Sequence, residues 1–235
     1  MDRVRLKLES PNLILILGTD AAGKNHVANA LADRLRPRGQ PIEKRAGALS
    51  AKPTQALTSE DKGFLALAQE RIFLTVFPFL RPLLPLIVAG WLWLDSQRFK
   101  QDPYRVTIVI SHTALRLLSF ALGHRYLGPD DIRLPRYLVQ SLRRWRQKTG
   151  VQVLVLDVAD AIRQQRIQAR ALAGKADVMD RYMAEDSARS ERIEADLVWL
   201  ARRYLGAYLL ENNDLDEVQL NRELDRALAW FQRAS

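Results

Sequence analysis

Residues 12–35 read N-L-I-L-I-L-G-T-D-A-A-G-K-N-H-V-A-N-A-L-A-D-R-L. An apolar strand runs into a loop bounded by Gly18 and Gly23, a lysine follows at Lys24, and a helix begins there. The spacing nearly satisfies the phosphate-cradling pattern G-x-x-x-x-G-K-S/T, with the strand before it and the helix after it that the pattern requires. Asn25 is the departure, because a hydroxyl normally stands there to reach a magnesium ion.

Each position has a physical reason. Gly18 lets the chain leave the strand sharply, and Gly23 lets backbone approach a phosphate with no side chain in the way. The N–H groups of Gly18, Thr19, Asp20, Ala21, Ala22, Gly23, Lys24 and Asn25 are then expected to line one concavity at the positive end of a helix. Lys24 supplies a point charge for the outer phosphates. Asp20 puts a carboxylate beside the anion, which suits an acceptor hydroxyl, a hydrated metal or a base.

Composition sets the outer bounds. The 235 residues fit one α/β domain with a helical insertion, and 48% hydrophobic content is ample for a packed core. A net charge of +9, carried largely by arginine, suits phosphate-bearing ligands, acidic membrane surfaces or nucleic acid. No nucleic-acid-reading motif accompanies it, so nucleic acid is the weaker partner. The absence of cysteine rules out disulfides and thiolate zinc sites, and His26, His112 and His124 are too scattered for a metal cluster. The N-terminus lacks a secretory pattern, which makes a cytoplasmic address the expectation.

Five apolar runs alternate with helical patterns: Leu13–Leu17, Ile42–Arg45, Val106–Ile110, Val151–Leu156 and Tyr208–Leu210. That alternation predicts βαβ units around a parallel sheet in one domain spanning 1–235. Leu134–Lys148 reads as an amphipathic helix, and a last helix should follow Tyr208–Leu210 with Asn213 or Asp214 as its cap. Ile72–Leu94, within an apolar helical region at about 64–98, is about long enough to span a bilayer, yet Arg81, Pro78, Pro82 and Pro85 interrupt it. It lies where a crossover helix must pack on the sheet. Buried or subunit-facing helices, as in a homodimer, are therefore preferred over docking on a membrane surface and over insertion.

With these residues in view, the chain resembles the P-loop nucleoside monophosphate kinases, most of all thymidylate kinase and thymidylate-kinase-like proteins. G18-T-D-A-A-G-K-N is similar to that family's G-x-D-G-x-G-K-S/T. V151-Q-V-L-V-L-D-V-A-D followed by A-I-R-Q-Q-R-I-Q-A-R is similar to its fourth strand, acidic turn and Arg-rich lid entrance, and the closing order of helix, strand and helix also matches. The resemblance implies a three-layer P-loop kinase fold, with a five-stranded parallel sheet flanked by helices and a helical lid at about 163–190. It implies ATP and Mg²⁺ as cofactors, Lys24 and Asp20 at the reacting phosphates, and Asn25 at the metal. Arg166 and Arg170, one helical turn apart, become the lid clamp. Arg45 is placed near the acceptor. A charged, solvated helix face remains the alternative for the two lid arginines.

At the end of the third strand, where relatives carry Asp-Arg, this chain has Ser111 and His112. His112 is then either an acceptor-phosphate contact or a satisfied surface histidine. Losing both the acid and the arginine should remove several kcal/mol of transition-state stabilisation. The expected function is transfer of the γ-phosphoryl of ATP to a small acceptor, either a nucleoside monophosphate or a sugar or glycan intermediate. The alternative is a catalytically impaired nucleotide-binding protein with a regulatory or membrane-associated role.

Overall fold

A computed structural model of the chain describes residues 11–39, 41–53, 79–80, 82–123, 134–174, 176 and 178–234. Residues 64–78 and Arg81 of the apolar region, and His124, lie outside the described residues.

The strands are β1 (Leu13–Leu17), β2 (Ile42–Gly47), β3 (Val106–His112), β4 (Gln152–Asp157) and β5 (Tyr208–Glu211). They form one parallel sheet in the order β2-β3-β1-β4-β5, so the strand feeding the loop lies at the centre. All five begin within a residue of the predicted runs. β2 and β3 extend further because they go on pairing to Gly47 and His112, past a register shift at Ala46/Gly47.

Every residue of β1 is buried because helices cover both faces of the sheet. The helices are α1 (Lys24–Leu35), α2 (Leu84–Arg98), α3 (Thr113–Gly123), α4 (Arg136–Thr149), α5 (Asp160–Leu172), α6 (Val178–Glu185), α7 (Ser187–Leu205) and α8 (Glu217–Ala234). Side chains alternate across a strand. Leu13, Leu15 and Leu17 accordingly pack with Val88, Leu118, Leu142, Trp145 and Leu200 of α2, α3, α4 and α7. Ile14 and Ile16 face the other way, onto Val27 and Leu31 of α1 and Leu224 and Phe231 of α8. These are the three layers that the family resemblance implies, around the parallel sheet that the alternating pattern predicts.

The amphipathic segment is α4, which buries Leu138, Leu142 and Trp145. Of the apolar stretch, α2 buries Leu84, Val88 and Leu92 on one face and leaves Leu83, Leu86, Ile87, Trp91 and Trp93 exposed at or along the other. Among the described residues no helix is long and apolar enough to cross a membrane. The last helix is capped at Asp216, a correction to Asn213 or Asp214. The Asp216 carboxylate accepts from the Gln219 N–H at 2.7 Å, and the Gln219 amide oxygen accepts from the Asp216 N–H at 3.0 Å. This reciprocal pair is a capping box, which outweighs the polar residues upstream.

Candidate functional site

Three non-glycine residues among those described have positive φ: Ala21 (62°), Ser111 (65°) and Asp214 (51°). Ala21 follows β1, Ser111 lies at the end of β3 and Asp214 follows β5, so all three sit at the carboxyl edge of the sheet. A left-handed conformation costs an L-residue about 1–2 kcal/mol, and such outliers concentrate at functional sites. In open α/β sheets that edge is where ligands bind.

Gly23 is the residue before α1, with φ 81°, and a Cβ there would meet Asn212 Nδ2 at 2.6 Å. Asn212 explains the closeness. Its side chain donates to the Ala22 carbonyl at 2.8 Å while its own N–H donates to the Asp157 carbonyl at 2.8 Å. The residue after β5 thus props the loop from behind.

Lys24 turns inward, with a 12% exposed side chain, and its ammonium donates to the Thr19 carbonyl. Asp20 Oδ1 lies 4.0 Å from Nζ. Burial pushes the Lys24 ammonium down to about 8, against the support of Asp20, and the nearby Arg116 and Arg170 push it the same way as burial. Thr19 is 5% exposed and its hydroxyl has no partner among the described residues. With Gly18, Asp20, Arg116 and Ser119 it lines a hollow of only about 10 Å³. The loop is folded upon its own lysine, with orphaned donor capacity beneath.

Three arginines close around it. Arg116 of α3 donates through Nη2 to Asp20 Oδ2 at 2.7 Å. Arg166 of α5 donates to the Ala21 carbonyl at 3.2 Å, to the Asn212 carbonyl at 3.1 Å and to Asp214 Oδ1 at 2.8 Å, tying the loop to the segment after β5. Arg170, one turn on, reaches both oxygens of Asp180 at 3.1 and 3.2 Å and so staples α5 to α6. Beside the loop a cleft of about 480 Å³ is lined by Ala21, Gly23, His26, Arg166, Ala169, Arg170, Asn212, Asp214 and Leu215. Small backbone-rich positions on one wall and guanidinium groups on the other can hold a flat ring next to an anion.

The predicted acceptor residues are distributed differently. Arg45 is engaged by Glu43 Oε1 at 2.5 Å and by the Leu49 carbonyl, with its guanidinium 5.7 Å from the Phe99 ring centre. Ser111 has a buried hydroxyl with no partner among the described residues. His112 is not a surface histidine: it is fully buried, with Nε2 3.1 Å from Asp95 Oδ2 and its ring edge-on to Trp145 at 5.1 Å. The positive φ at Ser111, where β3 ends, marks the local turn of the backbone, and the inward partner is Asp95.

Asp95 of α2 also accepts from the Ser50 N–H at 2.9 Å, the Ser50 hydroxyl at 2.7 Å, the Trp145 indole at 3.1 Å and the Leu49 N–H at 3.4 Å. Burial alone would raise its carboxyl, but the His112 and Ser50 hydrogen bonds win and hold it well below the usual carboxylate range. This cluster joins the end of β2, α2, β3 and α4. It ties these four elements together beneath the carboxyl edge of the sheet.

The described residues offer no ready-made cage of metal ligands at the loop. Asn25 is exposed and offers a neutral amide. The carboxylates around the loop are each held by an arginine: Asp20 by Arg116, Asp180 by Arg170, and Asp214 by Arg166. No group of three or more His, Cys, Asp or Glu side chains is placed to hold a metal among the described residues. A hard divalent cation takes oxygen ligands and usually at least one carboxylate.

Sequence reasoning missed Arg116, Asp95 and Asn212. Arg116 had a signal: it is the lone charge in the apolar run T-A-L-R-L-L-S-F-A-L-G just after a strand. Asp95 had a similar one, as the acid closing W-L-W-L-D.

No protein-family model matches the chain, and no curated protein matches it. Among solved structures, a gluconokinase from Sinorhizobium meliloti 1021 aligns over 95% of this chain and 95% of its own, at 14% identity and a TM-score of 0.41. A deoxyadenosine kinase from M. mycoides, solved with products dCMP and a flexible dCDP bound, aligns over 92% and 98%, at 14% identity and a TM-score of 0.47. At these scores neither likeness carries a substrate or a mechanism over to this chain.

Proposed function

We propose that this chain binds a nucleoside triphosphate at the Gly18–Asn25 loop and moves its terminal phosphoryl group to a small acceptor, as an ATP-dependent phosphotransferase. The observation that supports this reading is the convergence of Lys24, Arg116, Arg166 and Arg170 on one glycine-bounded loop at a helix N-terminus. The nucleoside enters the cleft beside Gly23 and Arg166, and its phosphates run along the loop. Lys24 exchanges the Thr19 carbonyl for phosphate oxygen, and Thr19 gains a partner for its hydroxyl. Arg170 meets charge from the lid side. Asp20, oriented by Arg116, faces the acceptor. Catalysis in this scheme is positioning and charge neutralisation, with no covalent intermediate on the protein.

The acceptor is a nucleoside monophosphate, as in thymidylate kinase, or a sugar or glycan intermediate. The burial of His112 on Asp95 favours the second class, because the side chain at that position is turned into the core and does not face an acceptor phosphate. ADP release is measured with ATP and a panel of nucleoside monophosphates, sugars and sugar phosphates, with and without magnesium. Acceptor-dependent ADP formation that vanishes in Lys24→Ala is expected. Asn25 and the Ser111–His112 pair favour a second reading, a nucleotide-binding protein without turnover. It predicts ATP binding, lost in Lys24→Ala, and no ADP with any acceptor.

A further inference from the structure

The loop has an unusual balance of charge for a site that handles ATP. Lys24, Arg116, Arg166 and Arg170 crowd it, and the carboxylates nearby are already committed to guanidinium groups. Position 25 carries no charge and no hydroxyl. A divalent cation brought here would find no unpaired carboxylate among the described residues, and would meet four cations against the three carboxylates Asp20, Asp180 and Asp214. The nucleotide's own charge makes the opposite case. Free ATP carries more negative charge than its magnesium complex, and a partly buried pocket with four cations against three carboxylates keeps a positive balance that favours the more anionic form.

Arg116 is the residue built to exploit this. It is 30% exposed, so it can reach a ligand, and the contact of Nη2 with Asp20 leaves its other donors for a phosphate. A guanidinium also matches two phosphate oxygens at once, as a metal does by chelation. In the hollow that Arg116 helps to line, Thr19 carries a buried hydroxyl with no partner among the described residues.

We infer that the loop takes its polyphosphate without a divalent metal ion, with Arg116 standing where the metal would act and Lys24 and Arg170 completing the charge. The inference rests on the reading of the loop as a polyphosphate site. It selects free ATP, or pyrophosphate as the minimal probe, over the magnesium complexes. Asp20 is then a positioning residue that holds Arg116 over the loop.

The experiment is calorimetric titration of the full chain with ATP and with pyrophosphate, once in EDTA and once in excess MgCl₂. Affinity in EDTA is expected to exceed that in MgCl₂ by about tenfold, the scale set by removing two ligand charges from a screened cationic site. Arg116→Met should erase that advantage, and Arg116→Lys, which keeps the charge, should retain most of it. Binding that appears only with MgCl₂ overturns the inference and leaves the phosphate site standing. So does an Arg116→Met affinity in EDTA within twofold of wild type. Absence of binding in both conditions overturns the phosphate site itself. The comparison of EDTA with MgCl₂ on the wild-type chain needs no variant to fold.

Discussion

Asp20 and Asp95 are both held by a base from the Val106–Gly123 segment: Arg116 for the first and His112 for the second. Asp20 remains 18% exposed and makes its pair across a hollow at the loop. Asp95 is 1% exposed and is surrounded by donors from three other parts of the fold. Two bases four residues apart thus do different work. His112 points into the core and holds the scaffold, and Arg116 points to the loop and stays available to solvent-borne anions. Charge serves binding where water can still be displaced, and serves architecture where it cannot.

Substitution can break this contrast. Asp95→Ala should cost the most stability, about 3–5 kcal/mol, because it strands buried donors on Ser50, Trp145 and His112. Urea unfolding measures it, and a cost near that of an ordinary surface change would mean the hub carries little. Lys24→Ala should do the reverse. Polyphosphate affinity is expected to fall at least ~100-fold, about 3 kcal/mol, while the midpoint of unfolding holds or rises, because a desolvated ammonium is removed.

A pH series sharpens the same distinction. Lys24 titrates near 8 in the folded chain against 10.5 ordinarily. Below pH 8 it is charged in both folded and unfolded states, and its burial penalty is then fully present. The folded chain releases that proton first as pH rises from about 8 to 10.5, so this group's contribution to stability improves across the window. Anion binding runs the other way and should weaken by up to tenfold per pH unit above 8, with a flat profile in Lys24→Arg. Asp95 works at the acid end. Its held-down carboxyl contributes stability above about pH 4, and that contribution is lost as pH falls toward its folded value. The smallest effect belongs to Ala21→Gly, which relieves the φ of 62° and should stabilise by roughly 0.5–1 kcal/mol.

The sheet was legible because a strand buried on both faces has to be apolar throughout, and Leu13–Leu17 and Val106–Ile110 are. The loop was legible because glycine and lysine at fixed offsets are a backbone requirement, which the chain states locally. Arg166 and Arg170 were singled out through the resemblance to an Arg-rich lid entrance, and their one-turn spacing put them on one helix face. Asp95, Arg116 and Asn212 were not, because each acts on a partner 17 to 190 positions away, and no local pattern records such a meeting. The same limit applies to His112: sequence identifies the residue, and only its contact with Asp95 and Trp145 determines that it faces inward.

Asn212 joins the Asp157 carbonyl at the end of β4 to the Ala22 carbonyl in the loop, and Arg166 fastens the Asn212 carbonyl to Ala21. The outermost strand is therefore mechanically geared to the first loop of the chain. The contacts that set the first loop therefore form only once residues from the C-terminal third have docked on it, although the loop lies near the start of the chain.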